Sequence, residues 1–202
     1  MRTEDTKSAV VAPLLANIQW GQDEPFNRMC PLYNEKYRSV TGCTATAMAQ
    51  ILAYWKYPEV LKSDIDSYET ETYNLRIPTI YADEQTNYDW DNMLDSYHDG
   101  NYTDEQADAV AKLMYHCGAA VQMDYGSVSG SYYDISALAN NFGYDADLMK
   151  NLYRFSFTVK EWSAIIDNEL LNKRPILYSG SSSSGGHAFV CDGADGTGLD
   201  EI

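Results

Sequence analysis

The stretch Val40–Pro58, "VTGCTATAMAQILAYWKYP", decides the fold. From Cys43 to Lys56 the side chains of Ala45, Met48, Ile51, Leu52 and Trp55 recur at three- and four-residue steps, the spacing of one helix face, and Pro58 ends the run. Small residues let such a helix pack centrally. Its first residue is a cysteine, preceded by a glycine that allows a sharp turn. Unpaired backbone N–H groups and the positive end of the helix dipole would stabilise a thiolate at Cys43. A small buried residue would suit the same position, so the helix alone leaves both readings open.

Working outward, Thr103 and Gln106 make a capping box ahead of Ala107, Val110, Leu113, Met114 and Cys117, with Gly118 placed to stop the helix. Asp134 to Asn141 reads as a short helix. Thr158 and Glu161 form a second capping box, leading Trp162, Ile165, Ile166 and Leu170 before Pro175. Beyond Pro175 the pattern changes. "ILYSG", Ile176–Gly180, and "HAFVCDG", His187–Gly193, read as two strands joined by a mobile "SSSSGG" segment. Tyr68 to Asp89 carries Pro78 and no periodicity, and reads as irregular. Helices first and strands last imply an α+β protein whose halves meet at a cleft.

The chain has 202 residues, 45% hydrophobic with 17 tyrosines, which is the composition of a folded globule. Against 30 acidic side chains stand 14 basic ones, a net charge of −16 that repels nucleic-acid phosphates and anionic membrane surfaces. Nucleic acid and membrane are therefore excluded as partners. No apolar run approaches the ~18 residues of a membrane span, and "MRTEDTKSAV" lacks the apolar centre of a signal peptide. The four cysteines, Cys30, Cys43, Cys117 and Cys191, form no Cys-x-x-Cys, which argues against a disulfide scaffold and against structural zinc. "GSVSGS" lacks the lysine of a phosphate loop, and "DGADGTGLDE" does not fit a calcium loop. No metal or cofactor is indicated.

A nucleophilic thiol needs a base. His98 lies in the polar turn "YHDGN", and His116 sits late in an amphipathic helix, where a positive charge would suit the C-terminal dipole. His187 follows Gly185-Gly186 and opens a strand, so its ring can project into a cleft. It lies about 140 residues after Cys43, inside the ~130–150 that separates cysteine from histidine in papain-like enzymes.

The blocks "WGQDEPFN", "CP", "TGCTATAMAQILAYWKYP", "YDWDNML", "MDYGSVSGS", "NNFGY" and "GGHAFVCDGADG" occur in an order that resembles the streptopain family of bacterial cysteine peptidases, from about Val11 to Gly196. The resemblance implies a papain-like two-lobed fold, with a helical lobe carrying the nucleophile and an antiparallel sheet carrying the histidine. It implies Cys43 as nucleophile and His187 as general base and acid, working through a thioester acyl-enzyme. The backbone N–H of Cys43 and the side chain of Gln22 would form the oxyanion hole. Ser129 and Ser131 would contact peptide backbone, and Gly186 would approach substrate closely. Taken singly, Gln22 also reads as a turn residue ahead of Pro25, and "GSVSGS" as a turn between elements.

The resemblance further implies protein or peptide substrates with a bulky apolar residue just before the one at the cleaved bond. A pro-domain or protein inhibitor as partner, and secretion or a bacterial cell-surface location, follow from the same likeness. Residues 1–10 would be an N-terminal extension or pro-segment remnant, and residues 11–202 the peptidase domain. Family members carry an "NWGWGG"-like motif after the histidine strand; its expected position lies just past Ile202, so the sheet lobe is expected to be incomplete at its C-terminal end. Two alternatives use the same residues: an acyl transferase with the Cys-His pair, and a non-hydrolytic relative that binds proteins through the cleft.

Overall fold

In the computed structural model, which describes residues 9–132, 135–183 and 185–196, the alanine-rich helix runs over Cys43–Trp55 (α1). Ala45, Met48, Ala49 and Leu52 are fully buried on it. Its alanines let α2 (Asp104–Ala120) pack alongside, and Met48 and Leu52 share one core with Val110, Leu113, Met114 and Cys117. Each large side chain so buried contributes roughly 1.5–3 kcal/mol. Lys56 closes α1 in the left-handed region at φ 46°, two residues before Pro58.

Both capping boxes are present. The Thr103 side chain accepts the Gln106 N–H at 3.3 Å and Gln106 Oε1 accepts the Thr103 N–H at 2.9 Å. Thr158 and Glu161 repeat the exchange at the start of α4 (Val159–Leu171), following α3 (Ser136–Phe142), which Gly143 terminates at φ 74°. Asp134, the expected start of α3, lies outside the described residues. Gly118 does not stop its helix. Instead α2 continues to Ala120, and Gly118 serves close packing, because a Cβ there would collide with the buried Tyr125 hydroxyl.

Eight strands lie among the described residues: β1 (Val10–Val11), β2 (Leu32–Tyr33), β3 (Tyr37–Arg38), β4 (Tyr68–Glu69), β5 (Arg76–Ile77), β6 (Ile176–Ser182), β7 (Gly185–Cys191) and β8 (Ala194–Asp195). They pair antiparallel as β1–β8, β2–β3, β4–β5 and β6–β7. The α+β expectation therefore holds, with two corrections. Tyr68–Asp89 is partly ordered into the β4–β5 hairpin and a 3-10 turn at Ala82–Glu84. The "SSSSGG" segment, expected to be mobile, is strand at Ser181, Ser182, Gly185 and Gly186, since β6 extends through Ser182 and β7 begins at Gly185. In β1, Val10 pairs with Asp195 and Val11 with Ala194.

The β6–β7 hairpin positions His187. In the ladder His187 stands opposite Gly180, which has no side chain, so the imidazole meets no cross-strand neighbour. Ala188, on the other face of the pleat, is buried, and β7 packs against α1. That contact brings the strand to the helix.

Candidate active site

The chain around Cys43 is wired from both sides before the helix begins. The Val40 N–H donates to the Gly126 carbonyl at 3.1 Å, and the Thr41 N–H donates to the Gln22 carbonyl at 3.1 Å. Gly42 then turns at φ 87°, with Met123 packed so closely beneath that a Cβ would lie 2.5 Å from its sulfur. Only glycine meets both conditions. The Thr46 hydroxyl donates to the Gly42 carbonyl at 3.0 Å and accepts from the fully buried Thr41 hydroxyl at 2.8 Å. The result is a fixed first turn with Cys43 at its head.

A cleft of about 590 Å³ opens there, bounded by the Gln22 loop, the start of α1, the Ser127–Ser129 loop and β7. Gln22, Cys43, Ser129, Gly186 and His187 all border it, so the structure brings together five of the six residues singled out in the sequence. Ser131 is not among the lining residues. Its hydroxyl is buried without a partner in the neighbouring turn. Ser129 borders the cleft, yet its hydroxyl is spent internally: it donates to the Val40 carbonyl at 2.7 Å and accepts the Gly126 N–H at 3.1 Å. Its one proton is therefore already committed within the protein.

His187 stacks on Phe189, with ring centroids 6.3 Å apart and planes 20° from parallel. Phe189 in turn lies 5.3 Å from Tyr178 across the hairpin, and the Tyr178 hydroxyl accepts the Trp162 indole N–H at 2.9 Å. The other two histidines lie elsewhere. His98 is exposed, as its turn suggested. His116 is buried, bonded through Nδ1 to the Tyr88 hydroxyl at 2.8 Å, and desolvation with help from Lys112 pushes its pKa down to about 3. The charged His116 expected at the helix end is thus corrected to a neutral core residue, because burial outweighs the dipole.

Burial also silences the competing thiols. It pushes Cys30 up to about 12 and raises Cys117 and Cys191, while Cys43 alone of the four borders the cleft. Asp192, near His187 in sequence, turns away: its carboxylate accepts the Leu15 N–H at 3.0 Å. Thr41, Thr46, Asp23 and Phe189 belong to the site but were not foreseen. Thr46 carried a signal, since it sits one helical turn after Cys43; Asp23 and Phe189 had only their neighbours Gln22 and His187 to mark them. No group of three or more His, Cys, Asp or Glu among the described residues could hold a metal. A thiol at a helix start and an imidazole from a facing strand can together perform acyl transfer.

Residues 20–201 match the peptidase C10 family. The chain is 36% identical over 218 aligned residues to streptopain of Streptococcus pyogenes, covering 96% of this chain and 52% of that protein. It is 34% identical to the thiol protease/hemagglutinin PrtT of Porphyromonas gingivalis, covering 96% and 23% respectively. Among solved structures, the active wild-type interpain A cysteine protease of Prevotella intermedia superposes with a TM-score of 0.83 at 36% identity, covering 98% of this chain and 83% of that one. A fragment of Prevotella intermedia prointerpain A gives 0.82, covering 98% and 63%. The chain spans about half the length of the streptopain proteins it matches.

Proposed function

The chain belongs to the peptidase C10 family, and from that premise we propose that it is a cysteine endopeptidase acting on protein substrates through Cys43 and His187. The observation that carries this reading is the placement of Cys43, at the head of α1, and His187, on β7, along one cleft. In the proposed cycle His187 takes the Cys43 thiol proton, the sulfur attacks the peptide carbonyl carbon, and the resulting oxyanion is held by the Cys43 N–H and the Gln22 side chain. His187 gives a proton to the departing amine, leaving a thioester. Water then attacks the thioester while His187 takes a proton from it, and the carboxylic acid leaves with the thiol restored.

The Thr41 N–H bond to the Gln22 carbonyl supports this assignment by holding the Gln22 loop against the helix start. Gly186 fits the substrate-approach role on similar grounds: a Cβ there would meet nothing closer than the Gly180 carbonyl at 3.8 Å, so internal packing does not demand glycine. A secreted or cell-surface protein held inactive by a pro-segment is part of the proposal, by analogy with prointerpain A. The test is hydrolysis of an internally quenched peptide by the protein once any pro-segment has been removed. Cys43→Ala and His187→Ala are each expected to lower kcat/KM by at least about 10³-fold with folding intact. Undiminished cleavage by either variant contradicts the assignment.

A further inference from the structure

We propose that Asp23 makes the cleft select substrates with a lysine or arginine flanking the cleaved bond and discriminate against acidic ones, an inference that rests on the peptidase reading above. Asp23 immediately follows Gln22, so a carbonyl held at Gln22 places the flanking substrate side chains near its carboxylate. It is exposed, and it is the only Asp, Glu, Lys or Arg among the described residues that border the cleft.

Its charge is also uncompensated. Arg28, the cation of the same turn, is engaged by Asp104 at 2.6 Å, Asp108 at 3.4 Å and Glu24 at 3.9 Å, and no ion pair reaches Asp23 among the described residues. The only other titratable groups bordering the cleft are Cys43 and His187. The net charge of −16 adds a long-range field of the same sign. A cationic side chain entering beside the scissile bond therefore gains a partner that the protein does not supply, and an acidic one meets repulsion. At a solvent-exposed site this amounts to a preference of about fivefold rather than an absolute requirement.

Two readouts on the full-length protein test this, one of them independent of peptidase turnover. In the first, Cys43 is modified by a cationic and by an anionic methanethiosulfonate of equal size, and the ratio of the two rates is measured by mass spectrometry. In the second, kcat/KM is compared for peptides that differ only in Lys or Glu beside the scissile bond. Both ratios are expected to favour the cation in the parent protein and to fall about fivefold in Asp23→Asn. They should hold in Asp145→Asn, which removes a charge just past Gly143, whose carbonyl accepts the Tyr57 hydroxyl beyond the far end of α1. Ratios unchanged in Asp23→Asn, or reduced equally in Asp145→Asn, overturn the proposal. If no peptide is cleaved, the peptidase reading fails and the thiol ratio still decides the role of Asp23.

Discussion

The two walls of the cleft are built on opposite principles. Cys43 heads a helix in which Thr44 to Ala49, Ile51 and Leu52 are buried, whereas His187 rides a hairpin in which Ala188 is the one buried residue among those described. The thiol is therefore placed by the core itself, through Gly42, Met123 and the Thr41–Thr46 hydroxyl pair. The imidazole is placed by β7 packing on α1 and by a short aromatic stack. On the helical side, then, stability and activity rise and fall together. On the hairpin side they come apart.

Substitutions can break that contrast or sharpen it. Leu52→Ala removes a fully buried side chain from α1 and is expected to cost about 2–5 kcal/mol in denaturant unfolding, with loss of activity at temperatures where the parent is active. Next comes acidification. Because the His116 pKa lies at about 3 in the folded state against an ordinary 6.5, the unfolded chain binds the extra proton first. Stability from keeping His116 neutral is complete above about pH 6.5 and is lost as the pH falls toward 3, at about 1.4 kcal/mol per pH unit. His116→Asn should be less stable at neutral pH, having lost the Tyr88 bond as it stands, and should show a flatter Tm profile between those limits.

Gly42→Ala comes third, at about 1–3 kcal/mol, since it combines a φ of 87° with a side chain driven into Met123. Combining it with Met123→Ala should recover the overpacking part and leave the backbone part, which a double-mutant cycle on unfolding free energies would resolve. Smallest is Ser181→Ala on the exposed hairpin, expected within about 0.5 kcal/mol of the parent. A destabilisation there comparable to Leu52→Ala would show that the hairpin is as tightly integrated as the helix, and the contrast would fall.

What could be read in the sequence follows the same division. α1 was legible to within one residue because its apolar spacing, its glycine entry and Pro58 all agree, and both capping boxes signal locally. Cys43 stood out as the first residue of that helix, and His187 because it opens a strand after Gly185-Gly186 at a papain-like distance from Cys43. The β1–β8 pair was illegible, since each strand has two residues and their partners lie at opposite ends of the chain. Gly118 misled because a glycine near a helix end signals a stop, whereas here the demand comes from Tyr125, a tertiary neighbour. His116 misled similarly: its helix position was right, but only packing reveals that it is buried. The Ser129 hydroxyl is bonded to Val40, 89 positions away, a partner that no local pattern names.

The central claim is that Cys43 and His187 act as one unit across the cleft, and competitive alkylation tests it most directly. The full-length protein is treated with limiting iodoacetamide, and the modification rate of each of the four cysteines is followed by mass spectrometry in the parent and in His187→Ala. The account predicts that Cys43 reacts well ahead of Cys30, Cys117 and Cys191, and that His187→Ala slows Cys43 while leaving the other three unchanged. Equal, slow labelling of all four cysteines, or a Cys43 rate indifferent to His187, would contradict it.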